Sequence, residues 1–266
     1  MNHYHLLARP LEEMGRSAIR RVQFLGQMAV FFIEAFLLLF SLPIQYTKIL
    51  YQTYFIGMKS ISVICLTAAF TGMVLGLQGY YTLVKFGSEG ILGAAVALTL
   101  IREMGPVLTA IMVIGRAGSS MAAEIGIMRI SEQIDALNTM DINPIRFLVS
   151  PRLGASLISF PLLTAIFDVV GIFGGYVTGC LLLGINSGIY FNRVESSVSM
   201  DDIIGGFLKS IVFAVVVTGI CCYQGYFTHQ RSEFGAKGVS LSTTSAVVIS
   251  SVLVLITDYI LTSFLL

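Results

Sequence analysis

Five runs of the chain stay apolar for about twenty residues or more: roughly 60–80, 92–115, 153–184, 205–228 and 242–265. At about 1.5 Å per residue such a run matches the thickness of a bilayer's hydrocarbon core, so each predicts a membrane-spanning helix. The third is long enough to hold a break, and Pro161 with the glycines at 171, 174, 175 and 179 would supply it. A sixth apolar stretch, Phe24 to Ile44, carries Glu34 near its middle and closes on Pro43. It reads either as a further span or as a segment lying on, or dipping into, one interface.

Charge placement separates these two readings. If residues 24–44 do not span, one face collects Arg9, Arg16, Arg20, Arg21, Lys48, Lys59, Arg129, Arg146, Arg152, Arg231 and Lys237, and the other holds only Lys85 and Arg193. That eleven-to-two split obeys the rule that basic residues stay cytoplasmic; a sixth span would reduce it to seven against six. The expectation is therefore an all-α integral membrane protein with five transmembrane helices, an N-terminal amphipathic interfacial or re-entrant helix, a short cytoplasmic helix, and a cytoplasmic N-terminus. It forms one membrane domain over 1–266, with 1–50 as interfacial segment and 51–266 as five-span core. The first 23 residues are polar and amphipathic, without the apolar core and small-residue site of a cleavable signal.

Composition narrows the function classes. Of 266 residues 56% are apolar and 12% charged, where soluble domains carry about 25% charge. A water-soluble globule and a disordered chain are both excluded. With 16 basic against 15 acidic residues there is no cationic excess to suit nucleic acid. Cys65, Cys180, Cys221 and Cys222 lie inside apolar runs with no metal-ligand spacing, and read as small buried residues. Small residues recur at four-residue spacing (Gly72 with Gly76, Gly118 with Ala122, Gly171 with Gly175, Gly175 with Gly179), the pattern that lets helices approach closely in lipid.

Several charges remain where they are expensive: Arg102, Arg116 and Lys209, with Glu103, Glu124, Asp168 and Asp258. Each costs about 2.5–3.5 kcal/mol at a helix centre, so each calls for a partner or a wet cavity. Arg102 and Glu103 point about 100° apart on their helix and so face different partners, with Lys209 and Asp258 on other helices as candidates. The four form either an ion-pair network that fixes helix register or the polar lining of a pathway. Arg116 and Glu124, near the cytoplasmic end, read as mainly structural, and Asp168 as protonated or bonded to a hydroxyl.

The segment from Met128 to Pro151 is the most informative polar stretch. Ile134, Leu137 and Met140 make an apolar stripe on a short helix ended by Asn143 and Pro144, with Glu132, Asp135 and Asn138 on its other face. Such a helix rests on its own bundle or docks into a partner's groove. No phosphate-binding loop of the form G-x-x-x-x-G-K-[ST] accompanies it, and the histidines (His3, His5, His229) make no cluster. ATP, if used, is hydrolysed by another chain.

The runs GMVLGLQGY at 72–80, LIREMGPVLTAIMVIGRAGSSMAAEIGIMRISEQIDAL at 100–137, NPIRFLVSPR at 143–152 and the closing TDYILTSFLL resemble the MlaE (YrbE) permeases of MCE-type ABC phospholipid transporters. The likeness covers the chain from about residue 50 onward. It implies a homodimer in a bacterial inner membrane, seated on two copies of a separate ATPase that carries ATP and Mg, with no cofactor on this chain. It also implies a periplasmic MCE-domain partner and, in many systems, a small STAS-domain protein. By matching motif positions, Arg102, Glu103, Lys209 and Asp258 are the family's intramembrane charged residues, and Leu75, Leu77 and Tyr81 fall where the family lines its lipid cavity. The loop around E-Q-x-x-A-L is similar to a coupling helix, which assigns Glu132, Gln133, Ile134, Asp135, Leu137 and Met140 to contact with the ATPase. Two other classes stay open on the residues alone: a secondary transporter using Glu103 or Asp258 as a proton-carrying carboxylate, and a passive scaffold.

Overall fold

The computed structural model describes residues 19, 22–23, 26–39, 41, 45–228 and 235–265. Arg9, Arg16, Arg20, Arg21, Arg231, Pro43 and the three histidines lie outside the described residues. Every regular element among those described is helical: α1 (Gly26–Leu39), α2 (Tyr46–Val84), α3 (Glu89–Ile130), α4 (Gln133–Thr139), α5 (Ile145–Leu182), α6 (Ser187–Ser197), α7 (Met200–Tyr226) and α8 (Ala236–Leu265). Five of them, α2, α3, α5, α7 and α8, are long and apolar enough to cross a bilayer. Successive crossings put α4 on one side of the bundle and α6 on the other.

The apolar 14-residue α1 is about 21 Å long and too short to span. Phe31 and Ala35 are buried. The Phe31 ring packs on Tyr223, Tyr226 and Phe227 at the α4-side end of α7, with centroids 5.5–6.1 Å away. Ser150 Oγ donates to the Ala35 carbonyl at 3.1 Å, and Asn143 Nδ2 to Glu34 Oε1 at 3.3 Å, so the charge in the apolar stretch is met from the start of α5.

Small residues set the tightest seam, between α2 and α5. A side chain at Gly72 would run into the Gly171 carbonyl, one at Gly76 would meet Gly175, and one at Gly174 the Ala69 carbonyl. The α3–α7 seam follows the same rule: a Cβ at Gly118 would stand 2.9 Å from Cys221 Sγ, and one at Gly225 2.7 Å from the Ala122 carbonyl. In lipid, where no hydrophobic force drives helices together, this close backbone contact is the main source of association.

Two expectations are corrected. The α-helical run of α5 passes through Pro161 without a break from Ser150 to Tyr176; its glycines 171, 174 and 175 lie against α2, and the chain only widens to a π-helical turn at Val177–Leu182. The interruption occurs in α2, where Tyr46–Ile56 gives way at Gly57 to a 3₁₀ turn, Met58–Ser60, before Ile61–Val84. Asn143 does not end α4 either. Its Oδ1 accepts from the amides of Ile145 (2.9 Å) and Arg146 (3.2 Å) and caps the start of α5.

Candidate functional site

Three spans meet at Lys209. This α7 residue is 2% exposed, and its three protons go to the Arg102 carbonyl (2.9 Å), Glu103 Oε2 (2.8 Å) and Thr262 Oγ1 (2.7 Å). Asp258 Oδ1 stands 3.1 Å from the same ammonium as an ion-pair partner, buried and without a hydrogen bond of its own. Thr262 donates onward to Glu103 Oε1 at 3.1 Å. The local sequence explains the arrangement. Pro106 has no N–H to offer the carbonyl four residues back, so the Arg102 carbonyl is released from its helix and Lys209 takes it. Next to it α3 widens into a π-helical turn at Leu100–Met104, from which Arg102 and Glu103 project to different sides.

Arg102 therefore does not join Asp258. Its Nε donates to Asp202 Oδ1 at 2.6 Å, near the start of α7. The other Asp202 oxygen accepts from the Ser199 amide (2.9 Å) and hydroxyl (2.8 Å), while Ser199 Oγ accepts from the Asp202 amide, forming a capping box that fixes the carboxylate. Asp202 was not singled out from the sequence, although S-x-x-D ahead of an apolar run is a readable cap signal. Arg102, Glu103, Asp202, Lys209 and Thr262 line a cavity of about 350 Å³ on the α6 side of the bundle. Two carboxylates face one ammonium in the inner part of this site, while the half-exposed Arg102 guanidinium, paired with Asp202, stands at its rim.

The remaining membrane charges are dispersed. Arg116, in the π-helical turn Ile114–Gly118 of α3, reaches the interruption in α2: its Nε donates to Ser60 Oγ at 2.7 Å and its terminal nitrogen to the carbonyls of Phe55 and Ile56. It replaces the amides that the 3₁₀ turn withdraws. Glu124 pairs with Arg152 at 3.0 Å. Arg152, counted from sequence with the cytoplasmic loops, is buried in α5 and also donates to the Leu148 carbonyl at 2.8 Å. Asp168 packs against Gly105 of α3 with Oδ1 buried, and no hydroxyl among the described residues bonds that oxygen.

Leu77 and Tyr81 lie on an exposed apolar stripe of α2 that runs Leu66, Phe70, Val74, Leu77, Tyr81, Val84. Leu75 points elsewhere and packs, partly buried, on the bundle core. On α4, Ile134 is buried and Leu137 packs with it against the cluster around Phe31, so two of the three stripe positions serve this chain's own bundle. Met140 is 67% exposed, Glu132 and Gln133 face outward, and Asp135 pairs with Arg129 at 2.8 Å. Glu132 and Asp141 bracket the helix in left-handed conformation at φ +58°. Beyond α4, the Ile142 amide closes back on the Leu137 carbonyl at 3.0 Å.

The family model described as Permease MlaE matches residues 49–264. A "Probable ABC transporter permease protein" of Rickettsia bellii is 41% identical over 249 residues, 94% of this chain and 95% of that one. The "Intermembrane phospholipid transport system permease protein MlaE" of Haemophilus influenzae is 44% identical over 215 residues, covering 80% and 81%. A chloroplastic protein of Arabidopsis thaliana, trigalactosyldiacylglycerol 1, is 37% identical over 221 residues, covering 83% of this chain and 62% of its own. With a match over most of its length and five helices fit to cross a membrane, the chain belongs to the MlaE permease family of multi-pass membrane proteins.

Proposed function

We propose that this chain is the transmembrane subunit of an ATP-driven transporter that moves phospholipids between the inner membrane of a bacterium and its outer envelope. The observation that carries the reading is the Lys209 cluster with its 350 Å³ cavity, a chamber lined by charged residues inside a mostly apolar bundle. A phospholipid needs that division: polar groups for a headgroup and apolar surface for its chains. The cavity is of headgroup size, and the exposed stripe through Leu77 and Tyr81 provides surface for acyl chains. The names of the Rickettsia and Haemophilus relatives support the transporter class and the substrate.

In this reading two copies pair, with their α2 stripes enclosing the lipid, and the α4 side is cytoplasmic. A separate pair of ATPase subunits binds ATP and Mg and presses on the exposed rim of α4 at Glu132, Gln133 and Met140. An MCE-domain protein sits on the α6 side, and a STAS-domain protein on the ATPase. Reconstitution tests this: vesicles containing the purified complex should move a fluorescent phospholipid with ATP and not without it, and a tagged chain should carry an ATPase through purification. A specific observation keeps one rival in view, since Glu103 and Asp258 share one ammonium and could hold a proton between them. Lipid movement driven by a proton gradient without ATP would establish that rival and overturn the ATP-driven reading.

A further inference from the structure

The cavity at the Lys209 cluster presents two charged edges that the fold leaves unused. Lys209 is saturated by Glu103, Thr262 and the Arg102 carbonyl, and Asp202 is taken on one oxygen by Arg102 Nε and on the other by Ser199. Arg102 uses only Nε in that pair, so the two terminal nitrogens of its half-exposed guanidinium have no partner among the described residues. Asp201, beside Asp202 in the first turn of α7, is exposed and lines the same cavity. Its carboxylate makes no ion pair or side-chain hydrogen bond among the described residues. A free donor edge and a free acceptor thus line one cavity, and both are open to whatever enters it.

Formal charge limits what can enter. The basic groups are Arg102 and Lys209; Glu103, Asp201 and Asp202 line the cavity, and Asp258 stands against Lys209. A proton shared between Glu103 and Asp258 would still leave three acids to two bases. A ligand whose only charge is negative is repelled by that balance, whereas one that carries a cation beside its anion is not. The free edge of Arg102 suits a phosphate oxygen, and the free Asp201 carboxylate suits an ammonium. Ile204, Leu208 and Leu265, all exposed, continue the cavity wall as apolar surface, which suits a phosphate that bears acyl chains. Resting on the reading of this cavity as a headgroup seat, we infer that Asp201 is a specificity residue: it pairs with the ammonium of a zwitterionic headgroup whose phosphate is held by Arg102. The permease therefore selects ethanolamine lipids over anionic glycerol lipids.

Binding to the purified full-length permease tests this without recourse to transport. The protein in detergent is offered an equimolar mixture of phosphatidylethanolamine and phosphatidylglycerol with matched chains, and the retained lipid is identified by native mass spectrometry. Ethanolamine lipid should exceed glycerol lipid by about three- to five-fold, the scale of one partly exposed ion pair. Asp201→Asn should erase the preference and Asp201→Lys should turn it toward the glycerol lipid. Glu195→Gln, at an exposed carboxylate of α6 outside the cavity, should leave it unchanged. Asp201→Asn and Glu195→Gln should melt like the parent protein, so a lost preference reports binding and not folding. Gly205→Leu separates the two readings: a Cβ there meets only the Leu265 side chain, at 3.8 Å, and the larger residue extends into the cavity. Retention of both lipids unchanged in Gly205→Leu overturns the headgroup seat and this inference with it. Retention that falls in Gly205→Leu but favours neither lipid in the parent, or a preference that survives Asp201→Asn, overturns the role of Asp201 alone. Glycerophosphoethanolamine, the same headgroup without chains, should not displace the lipid at equal concentration; displacement would overturn the assignment to a lipid.

Discussion

Pro106 lacks one N–H, and the Arg102 carbonyl it frees becomes part of the seat for Lys209. Lys209→Met removes the ammonium that Glu103, Asp258 and Thr262 all face. Breaking a buried pair of this kind costs about 3–5 kcal/mol, so the variant should lose most of its thermal stability in detergent, and Glu103→Gln with Asp258→Asn should restore part of it. Arg102→Gln differs because the guanidinium is 46% exposed, where an ion pair is worth about 1 kcal/mol or less. Its melting temperature should barely move. Transport in vesicles should nevertheless fall if the rim of the cavity meets the headgroup, and unchanged transport would leave Arg102 a purely structural residue. The expense of charge in lipid singled out Arg102, Glu103, Lys209 and Asp258 together; the structure brings the last three to one point and takes the Arg102 guanidinium to Asp202 instead. Asp202 and Arg152 were hidden for one reason: both sit near span ends, where composition reads as loop although the side chains are turned inward.

Between elements, the α2–α5 seam is set by missing side chains. Gly72→Val places a branched Cβ where the Gly171 carbonyl stands, and overpacking of that order costs about 1–3 kcal/mol. A lowered folded yield should appear in size-exclusion profiles, whereas enlarging the exposed Val74 (Val74→Ile) should be harmless. On α4 the two apolar ends part company. Leu137→Asp should damage the fold, because Leu137 packs into the cluster around Phe31, whereas Met140→Asp should leave the fold intact and weaken coupling between ATP hydrolysis and transport. The number of spans and the small-residue seams were readable because hydropathy and residue size are themselves the physical causes. The interruption at Gly57 and the uninterrupted passage through Pro161 were not, because they depend on which backbone groups find partners in three dimensions.

For the whole molecule, the topology gives a direct test. With the native cysteines replaced by alanine, Met140→Cys and Ser196→Cys should react with a membrane-impermeant maleimide from opposite sides, Met140 from the cytoplasm; labelling of Ser196→Cys from the cytoplasm would invert the assignment. Both positions are exposed, so access to reagent reports sidedness alone.

The guanidinium of Arg116 gives the bundle a mechanical property. The elbow in α2 is held by bonds from α3 to Phe55, Ile56 and Ser60, so straightening or flexing it would first require those bonds to break. Arg116 thus acts as a splint: a push on Tyr46–Ile56 is carried into α3, whose C-terminal end leads directly to α4, instead of being lost as bending at Gly57.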